Sequence, residues 1–200
     1  MGKIGILKYP GASGDHDLYW AVRYSCNQKP VILESGRWNP NEVSALLIPG
    51  GLFAPGYSDA KDGHLITYII QNRKPVLTLA EGFFFVKKSQ KLFCDLLPLK
   101  NKEEFHLGPS VIVDNQNIWL QEFQLNETVD WSVSFRFHSF SQDDAINSLV
   151  VSKGDHRILG IELKEFPIAC FLVHPERAVD EILGDVSGKK VFKTLRKIDQ

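Results

Sequence analysis

Two stretches of the chain carry residue types at spacings suited to acyl-transfer chemistry. Residues 75 to 86 read PVLTLAEGFFFV, an apolar run that breaks at small residues and continues with a helical pattern. A strand turning sharply into a helix is where several hydrolase and transferase folds carry a Ser or Cys nucleophile. Residues 171 to 177 read FLVHPER, so His174 and Glu176 close another apolar run, where a base and its orienting carboxylate can sit. The tip of the first turn, however, is Ala80. The surroundings of a nucleophile are present, and a methyl group stands in the nucleophile's place.

Other residues offer chemistry of their own. Gly50 and Gly51 lie in IPGGL, where paired glycines let the backbone approach a ligand closely and turn its amides inward. A plain tight turn accounts for the same pair. Glu81, next to the tip, is either an acid or base working with His174, or a solvent-facing residue or partner for His174. His16 between Asp15 and Asp17 reads as a metal site or, more simply, as a charged cluster at a helix start. His-x-Glu at a strand end does not by itself give two convergent metal ligands. His64, His106, His138 and His156 show no partner pattern and read as surface residues. Cys94 and Cys170 read as buried apolar cysteines, and Cys26 has nothing catalytic near it in sequence.

The elements that must position these residues are legible as two halves. Short continuous apolar runs at 3–9, 30–35, 45–51 and 75–79 read as strands buried on both faces. Helical patterns separate them. Asp17 is expected to cap LYWAVRYS, and GHLITYIIQNRK lines up Leu65, Ile66, Ile69 and Ile70 on one side. Strand, helix and strand at this spacing predict right-handed crossovers and a parallel sheet. Another helical pattern leaves the turn at Ala80. From Glu103 to Leu172 the runs SVIVDN, IWLQEFQL, WSVSFRF, SLVVSK, RILGIEL and FPIACFLV read as antiparallel strands completing or flanking that sheet. Helical pattern returns over Pro175–Leu183. It returns again in the tail KKVFKTLRK, where Val191, Phe192, Leu195 and Ile198 recur at helical spacing. The fold class expected is α/β, a mostly parallel central sheet with flanking helices and antiparallel strands in the C-terminal half.

Bulk properties narrow the function classes. Two hundred residues with no internal repeat or low-complexity linker read as one domain over 1–200. A net charge of −1 gives no electrostatic case for nucleic acid or an anionic membrane. Three scattered cysteines form neither a disulfide framework nor a CxxC metal pattern. The start MGKIGILKYPG is not a convincing secretion signal, and Ile6 spoils a myristoylation site at Gly2. No apolar run approaches the ~20 residues of a membrane span. The expectation is a cytoplasmic protein without a membrane or nucleic-acid partner.

Taken in order, the loops resemble those of the glutaminase subunit of phosphoribosylformylglycinamidine synthase, a class I glutamine amidotransferase of purine biosynthesis. That family has F-P-G-x-N-C-D-x-D after its first strand, and YPGASGDHD stands here, with Gly14 where the family has Cys. Its L-P-G-G-F corresponds to IPGGL. Its elbow V-L-G-V-C-N-G-F-Q corresponds to VLTLAEGFF, and its C-terminal M-P-H-P-E-R to FLVHPER in GIELKEFPIACFLVHPERAV. The resemblance covers most of the chain, strong at both ends and thin between residues 100 and 155. It implies a flavodoxin-like, class I amidotransferase-like fold with a Cys–His–Glu site and no cofactor. The Cys thiolate attacks the glutamine amide, the His is base and then acid, and the Glu orients it. Residue by residue, the base falls on His174, the orienter on Glu176 and the nucleophile on Ala80. The oxyanion donors fall on the N–H groups of Gly51, beside Gly50, and of Glu81.

This sequence departs from the family in more than the nucleophile. The elbow glycine is Thr78, the Asn is Glu81, and the Gln after Gly-Phe is Phe84. The third-strand loop is stretched into LFAPGYSDAK. An Asn-Pro-Asn-Gly-Ser segment usual in the family has no counterpart, and its His-Gly-Glu-Gly run leaves at best a trace in FHSFS. A lone Cys-to-Ala replacement in an intact glutaminase accounts for Ala80 and for none of the rest. Two functions remain. The chain is a non-catalytic subunit or binding module, serving a synthetase partner or holding a glutamine-like small molecule. Alternatively it is an enzyme, either a glutaminase altered only at Ala80 or one with His174 and Glu81 as an acid–base pair. The apolar FFF at 83–85 fits a rebuilt pocket or interface, or simple core burial.

Overall fold

The computed structural model describes residues 2–51, 60–90, 96–98, 111–114, 117–133 and 137–197. The loop 52–59, Cys94 and His106 lie outside them, and the side chain of His138 is likewise not described.

The first half alternates strand and helix as the apolar runs predict. In order come β1 (Lys3–Lys8), α1 (Asp15–Cys26), β2 (Val31–Glu34), β3 (Val43–Ile48), α2 (Ala60–Gln71), β4 (Val76–Leu79) and α3 (Phe83–Gln90). β1 pairs in parallel with β2 and β3, and β3 with β4. Alternate residues of β1, β3 and β4 enter opposite cores, whereas β2, expected to be buried on both faces, is an edge strand with Ile32 exposed. Ile4, Ile6, Ala45, Leu47, Leu77 and Leu79 pack with Leu18, Ala21 and Val22 of α1. Leu7, Leu46, Ile48 and Val76 pack with Ile66, Ile69 and Ile70 of α2 and with Phe83, Phe85 and Val86 of α3. Both faces of β1, β3 and β4 are covered, which is why these three read as continuous apolar runs.

The second half is antiparallel, with one strand that joins the parallel set. Next come β5 (Leu96–Pro98), β6 (Val111–Val113), β7 (Thr128–Val129), β8 (Phe137–Phe140), β9 (Ile146–Ser152), β10 (Ile158–Leu163) and β11 (Ile168–Phe171). Among the described residues the main sheet runs β2-β1-β3-β4-β11-β10-β9-β6-β7, and β5 pairs separately with β8. β11 is parallel to β4 on one side and antiparallel to β10 on the other. It is the hinge strand between the two halves, and it places the segment leading to His174 beside the elbow.

Several expectations need correction. Asp17 does not cap α1, which starts at Asp15 with Gly14 at the N-cap and no side-chain cap bond. Asp17 lies in the first turn, where an acidic side chain still favours the helix dipole. IWLQEFQL is not a strand. Asn117 Oδ1 accepts from Trp119 N (2.9 Å) and Leu120 N (3.1 Å), and the chain runs on through turns. Trp119, Leu120 and Phe123 all enter the core there, a 1, 2, 5 spacing that a strand cannot place on one face. Pro175–Leu183 is not one helix but two 3₁₀ turns, Pro175–Arg177 and Glu181–Leu183. Asp180 caps the second turn by accepting a bond from Ile182 N (3.0 Å).

The tail does form a helix, α4 (Lys189–Lys193), followed by a 3₁₀ turn over Thr194–Lys197. Val191, Phe192 and Leu195 are buried in the α1-side core, while Ile198 lies outside the described residues. Among the described residues no helix is long and apolar enough to cross a membrane.

Candidate functional site

Three loops meet beyond the carboxyl ends of β1, β3 and β4. Tyr9 Oη donates to Pro49 O at 2.8 Å, and Ser13 N donates to Gly50 O at 3.1 Å. Ala12 and Gly51 form an isolated antiparallel bridge. The glycines exist for these approaches. A Cβ on Gly51 would lie 2.1 Å from Gly11 O, and one on Gly82 would lie 2.7 Å from Ile48 O. Backbone cannot yield at such distances, so the loop contacts require glycine. Gly50 faces the elbow, where its Cβ would be 3.1 Å from Ala80 Cβ and 3.3 Å from Glu81 Oε2.

The elbow keeps its strain. β4 ends at Leu79, and a 3₁₀ turn over Ala80–Gly82 leads into α3. Ala80 has φ 44° and is buried. The left-handed region costs an L-residue roughly 1–2 kcal/mol, so a methyl-bearing residue occupies it only when its surroundings dictate it. Here Gly82 pressed on the end of β3 does so. Thr78, expected in the tight turn, lies instead within β4, in register with Ile48 and Cys170. Its Oγ1 is buried without a hydrogen-bond partner among the described residues.

His174 arrives from the neighbouring strand. Phe171 of β11 is in register with Leu79 of β4, so Ala80 and the Leu172–His174 segment leave the same end of adjacent parallel strands. His174 N donates to Ser132 O at 2.8 Å. The ring Nδ1 lies 2.7 Å from Glu176 Oε1, and both side chains are buried. A carboxylate at Nδ1 favours the tautomer protonated there, leaving Nε2 as an acceptor, the form a general base needs. Glu176 Oε2 is buried without a hydrogen-bond partner among the described residues. Arg177 Nε pairs with Asp17 Oδ2 at 3.5 Å, joining this turn to α1.

Glu81 is where the structure adds most to the sequence. It does not face solvent. Its side chain is 6% exposed, and Oε2 accepts the N–H of Gly51 at 3.0 Å. Gly50, Gly51, Ala80 and Glu81 are thus brought together, with His174 and Glu176 on the adjoining strand end. The sequence signal was a Glu following the elbow tip in a chain that also holds Gly-Gly, but only the loop approach reveals the bond.

The FFF run divides. Phe83 and Phe85 are core, with Phe83 edge-on to Phe140 at 5.2 Å and Phe85 tilted against Tyr9 at 5.0 Å. Phe84 is 39% exposed. His16, His64 and His156 are exposed. Among the described residues no group of three or more His, Cys, Asp or Glu side chains is arranged to hold a metal ion. Cys26 and Cys170 are buried thiols, with Cys26 Sγ donating to Val22 O at 3.0 Å.

Comparison with known proteins bears on the same scaffold. No protein-family model matches the chain. It is 24% identical over 223 residues to phosphoribosylformylglycinamidine synthase subunit PurQ of Chlorobaculum parvum, covering 96% of this chain and 88% of that one. It is 25% identical over 221 residues to the same subunit of Prochlorococcus marinus, covering 96% and 98%. Among solved structures, that of PurLQS from Thermotoga maritima superposes with a TM-score of 0.85 at 22% identity, over 100% of this chain and 99% of that one. A glutamine amidotransferase from the same organism gives a TM-score of 0.65 at 16% identity, over 98% and 96%. The chain therefore has the class I glutamine amidotransferase-like α/β fold and is homologous, at low identity, to the PurQ subunit of phosphoribosylformylglycinamidine synthase.

Proposed function

We propose that the chain is a PurQ-like amidotransferase scaffold without glutaminase activity, acting as a non-catalytic subunit for a synthetase partner. The observation that carries this reading is Ala80 at the strained elbow, with φ 44° and a methyl group at the nucleophile position. A thioester needs a sulfur at that tip, and Cys26 and Cys170 are buried elsewhere in the fold. Support for a subunit role comes from the solved PurLQS structure, to which the chain is similar over its full length. The retained His174–Glu176 pair fits a site that lost its nucleophile but kept the packing around it. An acid–base role for Glu81 finds less support, because its Oε2 already accepts from Gly51. A glutamine-like ligand would have to share the site with that carboxyl group.

The test is ammonia release from glutamine by the purified chain, alone and with a synthetase subunit. No release above background is expected in either case. Steady glutamine-dependent release, abolished by His174→Ala, overturns the reading.

A further inference from the structure

We propose that Glu81 is a built-in occupant of the anion position at Gly51, so that this site excludes carboxylate-type ligands. The inference deepens the reading above and rests on it for the assignment of Gly51 N–H as a donor once used for an oxyanion. Glu81 follows the elbow tip, and Gly82 seats that turn against Ile48 O and Pro49 O at the end of β3. The same seating brings the side chain of Glu81 back over Gly50, whose Cβ would be only 3.3 Å from Oε2. Oε2 then takes the Gly51 N–H at 3.0 Å in a buried position.

The chemistry of that contact is what an oxyanion or a ligand carboxylate would make. A backbone N–H held inward by loop packing is a good donor for a negatively charged oxygen. Gly51 packs closely against the Gly11–Ala12 backbone, where even a Cβ would lie 2.1 Å from Gly11 O. One oxygen from the chain itself therefore takes the place of one oxygen from a ligand. A free anion must displace the tethered group, which needs no association entropy to bind, and must also sit beside its charge. The site is closed to anions by composition, whatever its original substrate.

Removing the carboxyl group should reopen it. The probe is sodium formate, titrated against sodium chloride at equal ionic strength, with the Gly51 amide followed by NMR and thermal stability followed in parallel. In Glu81→Ala, formate is expected to shift the Gly51 amide saturably and raise the melting temperature. In Glu81→Gln the amide oxygen replaces Oε2, and formate is expected to do no more than chloride. In the unaltered chain the Gly51 amide should not respond. A saturable Gly51 shift in the unaltered chain overturns the proposal even if Glu81→Ala does not fold. A folded Glu81→Ala that ignores formate overturns it as well. No glutamine is present in these titrations, so ammonia release would sink the non-catalytic reading without altering their outcome.

Discussion

His174 Nδ1 and Glu176 Oε1 lie 2.7 Å apart on a buried strand end whose neighbouring elbow carries Ala80. The pair has an orienting geometry beside a methyl group at the elbow tip. One physical role of the pair is to satisfy two polar groups that the fold has buried, and that role is measurable. Removing one partner leaves the other unpaired in the interior, at a cost of about 1–3 kcal/mol. Glu176→Ala and His174→Ala should each lower unfolding free energy by that amount in urea. The double variant should cost less than the sum of the two. Additive effects would show that the pair contributes nothing as a pair.

Ala80→Cys restores the nucleophile without restoring glutaminase activity. The introduced sulfur would sit beside Glu81, whose carboxyl group occupies the Gly51 donor and disfavours a neighbouring thiolate. Loss of one oxyanion donor typically reduces turnover by ~10²–10³-fold. Labelling by a glutamine-mimicking electrophile should therefore be weak in Ala80→Cys and rise in Ala80→Cys/Glu81→Asn. Full turnover should further require Phe84→Gln, whereas Thr78 lies inside β4 rather than in the turn and needs no change. Robust turnover from the single variant would show an otherwise intact site.

Glycines at the loop junction and on the helix should respond in opposite directions. Gly51→Ala drives a methyl into Gly11 O, and Gly82→Ala drives one into Ile48 O. Such clashes with backbone typically cost 1–3 kcal/mol or more, ~ the range for overpacking. Gly63 lies in α2 with nothing within 4 Å of its would-be Cβ. Gly63→Ala should stabilise by about 0.4–1 kcal/mol. Chemical denaturation of the three variants checks the contrast.

Acid should loosen the tail. Burial pushes the Glu127 carboxyl up, but the hydrogen bond from Lys190, the N–H of Gln124 and the Lys190 charge outweigh it and hold it below its ordinary value. A carboxyl depressed in the folded state contributes stability above its unfolded pKa and loses it as pH falls through the folded one. The loss should begin near the ordinary glutamate value of ~4.3 and continue below it. Glu127→Gln should flatten that part of the stability profile and leave the neutral-pH site unchanged. An identical acid limb in both proteins would show that the contact carries no linkage.

The sequence by itself determined the strands that are buried on both faces. β1, β3 and β4 announce themselves because an apolar run with helices on either side has no other stable setting, whereas β2 reads the same way yet lies at the sheet edge with Ile32 exposed. Ala80, His174 and Glu176 were legible too, since residue type and order along the chain carry them. The turns over 117–125 were not, because Trp119, Leu120 and Phe123 look as apolar in a strand as in a turn, and only the Asn117 cap and the core they fill decide between them. The 3₁₀ turns after His174 escaped for a similar reason. Their Ala178 and Val179 are buried by α1 and the tail, partners remote in sequence. The Gly51–Glu81 bond belongs wholly to tertiary structure. Thirty residues separate its ends, and nothing local distinguishes a glutamate that faces water from one folded back on a loop. That choice is made where β3 and β4 lie side by side and glycines let their loops touch.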